Sequence, residues 1–320
     1  MNIIDFSNAP EASFVFYGGD AGAKEALLYD NATWMIKYPK TTRDLVNPQI
    51  SYTTSPLSEY LGTKIYQLLG HPTHDVLLGV RKNKLVVACK DFTWESTGTA
   101  GQHKPYELIH FHYLKNRFMS SDLESYSGTG SETLLDEVLA TIEGEKTLTA
   151  LGGVSKRFWD MFVIDAFIGN NDRNNGNWGV LLDQRSGTIA LAPVYDNGNA
   201  FFNKRSTAQM HKRLGDDNLM ADDAYRNPTC VYKYKDFDSE SHKINPFQFL
   251  EKTQIAECRQ ALERFLVAVN LEQIDELIDS IPEHHEAWRI MPSQQKVFYK
   301  KLLELRLDKL QAIAAGYKGP

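Results

Sequence analysis

Gly169-Asn170-Asn171-Asp172-Arg173-Asn174-Asn175-Gly176-Asn177, followed at a distance by Tyr195-Asp196-Asn197-Gly198, is the stretch on which the reading of this chain turns. Asp172, then Asn177, then the distant Asp196 set a carboxylate, an amide and a second carboxylate in an order that suits phosphoryl transfer. Moving a γ-phosphate takes a carboxylate to orient and deprotonate the attacking hydroxyl, and oxygen ligands to hold magnesium against the phosphates. Magnesium prefers hard oxygen donors and keeps several waters, so one Asn and one Asp are enough protein ligands. Asp172 is then the base, and Asn177 and Asp196 are the metal ligands. The same residues also suit a surface turn, because Asn, Asp and Gly dominate turns for steric reasons alone.

The flanks favour the chemical reading. Phe158-Trp159-Asp160-Met161-Phe162-Val163-Ile164-Asp165-Ala166-Phe167-Ile168 is apolar over about three helical turns and stops at Gly169. Beyond the loop, Trp178 to Leu182 and Thr188 to Val194 flank Asp183-Gln184-Arg185-Ser186-Gly187 and read as a β-hairpin. Asp172 and Asn177 are therefore expected on a loop leaving a buried helix, with Asp196 at the exit of a hairpin strand. Such a hairpin would return Asp196 to the end of the ladder where Asn177 begins, close enough to share an ion.

Before Thr93 the pattern is strand, Gly-rich loop, strand, strand, helix, strand, strand. Ser13 to Tyr17 runs into Gly18-Gly19-Asp20-Ala21-Gly22-Ala23-Lys24, and Ala26 to Tyr29 and Thr33 to Pro39 follow, turning at Asp30-Asn31. Ser55-Pro56 announces a helix, with Ser as cap and Pro at the first helical position. Its apolar stripe is Leu57, Leu61, Ile65 and Leu68, and it ends at Gly70. Asp75 to Val80 and Lys84 to Cys89 are the last two strands, joined at Arg81-Lys82-Asn83. The glycines of the loop let backbone amides approach a phosphate, although an ordinary Gly-rich hairpin has the same composition. Lys37 ends an apolar strand, either solvated or placed to pair with phosphates. Glu59 lies off the apolar stripe, which is the pattern of an exposed helix glutamate; its chemical reading is a partner that orients Lys37.

Composition sets outer bounds. The 320 residues allow two modest domains or one bilobed unit with ample core. A net charge of −6 argues against nucleic acid as the partner of this chain by itself. Cys89, Cys230 and Cys258 share no metal spacing, are too few for a disulfide framework, and fit a reducing compartment. Met1 to Phe6 lacks the basic and apolar character of a signal peptide, and no window is apolar enough for a transmembrane segment.

In the carboxy-terminal half, Ser120 to Glu132 reads as a polar stretch, and helices are expected at 132–143, 154–168, 248–267 and 293–315. His110 with His112, and His284 with His285, lack a third ligand at suitable spacing and read as helix or loop histidines. Phe201 to Tyr225 holds Ser206 and Thr207 beside Lys204 and Arg205. A mobile polar loop is expected there, with a substrate-docking or autophosphorylation loop as the alternative.

In this order the pieces resemble the HipA-type serine/threonine toxin kinases, and among them the short CtkA-like and HipT-like members. Gly18 to Lys24, Trp34 to Pro39, Ser58-Glu59-Tyr60, Val86 to Phe92, Phe158 to Phe162, Gly169 to Trp178 and Ala192 to Asp196 carry the resemblance. It implies an α+β, bilobed protein-kinase-like fold. A small β-rich amino-terminal lobe would cover residues 1–92, a hinge or linker 93–104, and a larger, mainly helical carboxy-terminal lobe 105–320. ATP and Mg2+ are the implied cofactors, and a protein with a Ser or Thr acceptor the implied substrate. Gly18, Gly19, Asp20, Ala21, Gly22 and Lys24 would cover the phosphates, Lys37 would hold them, and Glu59 would position Lys37. The backbone of Lys90, Asp91 and Phe92 would receive adenine. Asp172 as base, with Asn177 and Asp196 as metal ligands, agrees with the reading from the residues alone.

The implied setting is a toxin–antitoxin module with an antitoxin or small HipS-like partner, or an effector translocated into a host cell. The chain would act in the bacterial cytoplasm or leave it without a classical signal peptide. The extra amino-terminal subdomain of full-length HipA proteins is expected to be absent or supplied by a separate small protein. Tyr17 stands where many relatives carry a serine whose phosphorylation switches the loop, so Ser13, Ser206 and Thr207 are the alternative acceptors. Asn174 stands where relatives often have histidine. Phosphoinositide kinases share the Asp-Arg-x-x-x-Asn core, which makes a lipid or small-molecule kinase the second reading; the acidic balance and lack of a basic membrane face count against it. A non-catalytic nucleotide-binding interaction protein is the third, and the intact Lys37, Asp172, Asn177 and Asp196 count against that.

Overall fold

Two tight turns set the amino-terminal sheet. Asp30 and Asn31 (φ 47° and 55°) and Lys82 and Asn83 (φ 47° and 62°) are left-handed at both central positions. That geometry lets a two-residue hairpin follow the right-handed twist of its strands. The computed structural model describes residues 1–13, 15–18, 24–46, 48–95, 104–122 (backbone alone at 121 and 122), 128–235 and 240–317. β1 (Ile4–Asp5), β2 (Lys24–Tyr29) and β3 (Ala32–Lys37) lead into α1 (Ser55–Leu68), β4 (Val76–Arg81) and β5 (Lys84–Lys90). β6 (Tyr106–His110) is followed by α2 (Phe111–Asp122), α3 (Leu135–Gly144), α4 (Lys146–Leu151) and α5 (Val154–Ile168). The hairpin β7 (Gly179–Asp183) and β8 (Ile189–Leu191) precedes α6 (Thr207–Leu214) and α7 (Asp217–Ala221), which runs into a π-turn over Asp222–Arg226. Then come β9 (Lys233–Lys235), β10 (Ser241–Lys243), α8 (Pro246–Lys252), α9 (Ala256–Ala268) and α10 (Leu271–Ser280). β11 (His284–His285), β12 (Trp288–Arg289) and α11 (Ser293–Gly316) close the order.

The fold is α+β and packs as two compact units. The first comprises Met1–Tyr106, Pro193–Leu219 and Asn270–Lys301, and the second Glu107–Ala192, Met220–Val269 and Leu302–Pro320. The first break falls close to the expected linker, of which 96–103 lies outside the described residues. The segments 193–219 and 270–301, expected in the helical lobe, pack with the first unit.

In the first unit five strands lie in the order β1-β4-β5-β3-β2, parallel only between β1 and β4. Phe6, Leu27, Trp34, Ile36, Val86 and Ala88 form its inner cluster, and α1 packs on β4 and β5. The strand expected at Ser13 to Tyr17 does not form among the described residues. The edge of β2 is taken slightly earlier in the chain, by Pro10 O accepting from Leu28 N–H and by Ala12 N–H donating to Ala26 O (2.9 and 2.8 Å). Thr54, not Ser55, is the residue before the first turn of α1, without a side-chain cap bond.

The second unit is built around α5, whose Phe158, Trp159, Met161, Phe162, Val163, Ile164, Phe167 and Ile168 are all buried. A helix apolar on all sides belongs in a core, and α9 packs along it. The single helix expected at 248–267 is two, α8 and α9. Thr253 turns extended between them (φ −61°, ψ 141°) while its Oγ1 accepts from Ile255 N–H, a local bond that competes with the helix ladder.

α5 ends at Gly169 in the left-handed conformation (φ 73°). Beside it Arg306, 1% exposed, donates to the carbonyls of Phe167, Asp223 and Ala224. A Cβ at position 169 would meet Arg306 Nη1 at 2.6 Å. Gly169→Ala is therefore expected to lower the unfolding free energy by about 2 kcal/mol or more, from the left-handed backbone and the displaced guanidinium together. Urea denaturation monitored by circular dichroism reads this directly, and an unchanged midpoint would contradict the packing.

Candidate active site

The first unit gathers three predicted residues on one ammonium. Lys37 ends β3, and its Nζ lies 3.1 Å from Glu59 Oε2 and 3.0 Å from Asp196 Oδ1. Burial alone would lower the Lys37 pKa, but the carboxylates of Asp196 and then Glu59 outweigh it and hold the pKa well above the ordinary lysine value. Lys37 thus stays cationic. Glu59 is 1% exposed, whereas Leu68 of the apolar stripe is 42% exposed, so the expectation of a surface glutamate is overturned.

The reason lies in the segment after Pro193, which covers the polar side of α1. Ser58 Oγ donates to Ala200 O, Asn197 Nδ2 donates to Thr63 Oγ1, and Thr54 N–H donates to Asn203 O. These bonds satisfy the polar groups that the burial removes from water. The same segment carries uncommon backbone, with Asp196, Phe201 and Phe202 at φ 62°, 55° and 52°. Such positions persist only where packing over-determines them and are common at functional sites.

Around this group, His74 Nε2 lies 3.7 Å from Glu59 Oε1, and burial pushes the His74 pKa down to about 4, so the imidazole is neutral. Buried Cys89 has its thiol pKa raised, by burial first. Lys24 Nζ donates to Gly18 O; burial and then the charge of Lys37 lower its pKa. Gly18 is exposed, and Gly19, Asp20, Ala21 and Gly22 lie outside the described residues. The N–H groups of Lys90 and Asp91 are taken by Asp75 O and Thr33 O. Among the described residues, the N–H of Phe92 donates to none. Tyr17 Oη donates to Asp91 Oδ2 (2.8 Å), and Asp91 Oδ1 accepts from Thr93 N–H and Oγ1.

The second unit holds the other two residues on the loop that leaves α5, and its asparagines are working parts of that loop. Asn170 and Arg173 are 3% exposed and Asn175 is fully buried, which excludes an ordinary surface turn. Arg173 forms a two-pronged pair with Asp165 (Nε–Oδ2 2.8 Å, Nη2–Oδ1 3.1 Å) and donates through Nη1 to Asn177 O. Asn175 Nδ2 donates to the carbonyls of Gly130 and Glu132. Asn174 Nδ2 donates to Asp172 Oδ1 at 3.0 Å, and Asn174 Oδ1 accepts from Gly176 N–H. Asn174 thus holds the Asp172 carboxylate. Asn177 Nδ2 donates to Asp172 O (2.6 Å); because a carbonyl only accepts, the Asn177 amide is fixed with Oδ1 left to accept.

Sequence reading passed over Asp165, Arg173 and His74. A carboxylate in the apolar run at 158–168, which holds Asp160 and Asp165, was a signal for Asp165; nothing in the sequence singles out His74. The mobile loop expected at 201–225 is instead largely helical from Thr207 onward. α6 carries a reciprocal cap in which Gln209 N–H donates to Ser206 Oγ and Ser206 N–H donates to Gln209 Oε1. Ser206 is 8% exposed and committed to that cap, while Ser13 is exposed.

No protein-family profile matches the chain. The serine/threonine-protein kinase CtkA of Helicobacter pylori strain J99 is 32% identical over 331 residues, covering 99% of this chain and 94% of the relative. The crystal structure of a Helicobacter pylori proinflammatory kinase CtkA superposes with a TM-score of 0.80 at 29% identity, covering 98% of this chain and 99% of that one. HipA of the Shewanella oneidensis MR-1 toxin–antitoxin system gives a TM-score of 0.47 at 11% identity over 96% of this chain and 70% of that chain. The chain belongs to the family of the serine/threonine-protein kinase CtkA.

The buried Asp165–Arg173 pair makes a prediction about the loop. Arg173→Met strands a buried carboxylate and is expected to cost about 3–5 kcal/mol of stability. Adding Asp165→Leu removes the stranded charge and should restore most of that loss while leaving the loop unanchored. Denaturant melts of the single and double variants test this, and a double variant less stable than Arg173→Met would contradict it.

Proposed function

We propose that this protein transfers the γ-phosphate of ATP to a serine or threonine hydroxyl of a protein substrate, with magnesium as cofactor. The observation that carries this reading is Lys37, kept cationic between Glu59 and Asp196 at the end of β3. A phosphate-binding lysine needs a permanent charge and a fixed direction, and Glu59 supplies the second. Asp172, its carboxylate held by Asn174, would orient the acceptor hydroxyl and take its proton. The Oδ1 of Asn177 and the carboxylate of Asp196 are hard oxygens of the kind magnesium accepts, and Asp196 is 38% exposed at its side chain. Magnesium supplies charge neutralisation on the phosphates when bound. Phe92 N–H is the amide of the 90–92 segment that supports adenine recognition, and the Gly18–Lys24 loop would cover the phosphates.

The family supports a role as toxin or translocated effector, with an antitoxin or small partner protein. No helix among the described residues is long and apolar enough to cross a membrane. Tyr17 already donates its hydroxyl to Asp91. For self-modification, exposed Ser13 is favoured over Ser206, which caps α6.

Asp172→Asn keeps the size of the base and removes its proton acceptor, so turnover is expected to fall by ~10²–10⁴-fold with ATP affinity nearly unchanged. Asp196→Ala should instead weaken magnesium-dependent nucleotide binding. Radiolabelled phosphate transfer and calorimetry separate the two effects. Near-normal phosphorylation by Asp172→Asn would remove the base assignment, and unchanged Mg-ATP binding by Asp196→Ala would remove the metal ligand.

A further inference from the structure

Glu59 has a second oxygen that the kinase reading does not use. Among the described residues its buried Oε1 has no hydrogen-bond partner, and neither ring nitrogen of His74, whose Nε2 lies opposite it, has one. Cys89 Sγ joins them, and the ligand atoms of the three residues all lie within 4.8 Å of one another. Glu59, His74 and Cys89 are 1%, 5% and 2% exposed. They come from α1, from the segment before β4 and from β5, so the fold assembles the group and no sequence spacing announces it. Buried polar atoms are almost always paired, and unpaired ones on Glu59 and His74 this close to each other and to a thiol mark a place for a ligand.

The donor set names the ligand's class. Imidazole, thiolate and carboxylate together suit a borderline-soft divalent ion such as zinc, whereas magnesium takes hard oxygen donors. Charge closes as well. On binding, Cys89 gives its thiol proton to solvent, and the dication is balanced by the Glu59 carboxylate and the Cys89 thiolate. His74 is already a neutral imidazole with Nε2 available. Lys37 and Asp196 are the neighbouring groups that solvent reaches, at 17% and 38% side-chain exposure, so an ion enters by displacing Lys37.

We propose that Glu59, His74 and Cys89 form a binding site for a zinc-class divalent cation, and that filling it draws Glu59 away from Lys37. The ion and the phosphate-binding arrangement of Lys37 then exclude one another, and zinc is an inhibitor of phosphoryl transfer. The inhibitory half rests on the kinase reading; the site itself does not.

The test uses the full chain stripped of metal by chelation. Zinc is titrated for stoichiometry, and cobalt(II) serves as the spectroscopic probe in excess magnesium. The expected result is one zinc per chain and a thiolate-to-cobalt charge-transfer band in the near ultraviolet. Cys89→Ser should lose the band and bind zinc at least tenfold more weakly. Phosphorylation by the unmodified chain should fall at least tenfold as zinc fills the site, while Cys89→Ser stays active and insensitive. No band and no bound zinc in the unmodified chain would overturn the site, whatever the folding of the variant. A band that survives Cys89→Ser would assign the thiolate to Cys230 or Cys258 and overturn it too. Zinc bound with the band, yet with undiminished phosphorylation, would overturn the exclusion of Lys37. Zinc bound with the band in a chain that phosphorylates nothing even when metal-stripped and resupplied with magnesium would uphold the site, and would overturn the kinase reading together with the inhibition.

Discussion

One ammonium shared by two carboxylates governs the first unit. Lys37, Glu59 and Asp196 come from a strand, a helix and a loop, so all three elements must be in place before all of the charges are paired. Burying such a group costs desolvation that the mutual attraction repays only with good geometry. The surrounding structure reads as the means to that geometry. α1 could have been an amphipathic surface helix; it is instead enclosed, because the segment after Pro193 binds its polar side through Ser58, Thr63 and Thr54.

The second unit solves the same problem with a different charge. Asp165 reaches out of an apolar helix to Arg173, and Arg173 reaches on to the carbonyl of Asn177. A loop with little apolar content thereby acquires the rigidity of the helix it leaves. The asparagines divide the remaining work: Asn175 ties the loop to Gly130 and Glu132, while Asn174 and Asn177 act on Asp172 from side chain and backbone. Position in both units comes from satisfied polar groups, and the apolar core supplies the platform.

Local signals were legible and long-range ones were not. α5 was readable to the residue because its apolar run is stopped by a glycine that must be left-handed. The hairpins at Asp30-Asn31 and Lys82-Asn83 were readable from turn chemistry, and the spacing of Asp172 and Asn177 from the needs of phosphoryl transfer. The burial of Glu59 was hidden, because the segment that covers it lies more than a hundred residues away and no helical periodicity encodes it. α6 was hidden under a polar composition, although Ser206 and Gln209 carried a capping pattern. Cys89 and His74 show the limit most clearly: with nothing in their spacing to connect them, only the sheet brings them together.

Gly198 has a bearing on how this site can vary over generations. A Cβ there would stand 3.1 Å from Glu59 Oε2, the oxygen already committed to Lys37. Any side chain at 198 would press that oxygen by a few tenths of an ångström against its bond to Lys37, so the two positions are coupled. A larger residue at 198 would push the acid at 59 to turn, and an acid that turns far enough no longer reaches Lys37. Glycine and glutamate are thus expected to behave as an epistatic pair, in which the smallest side chain keeps open the path of the charged one.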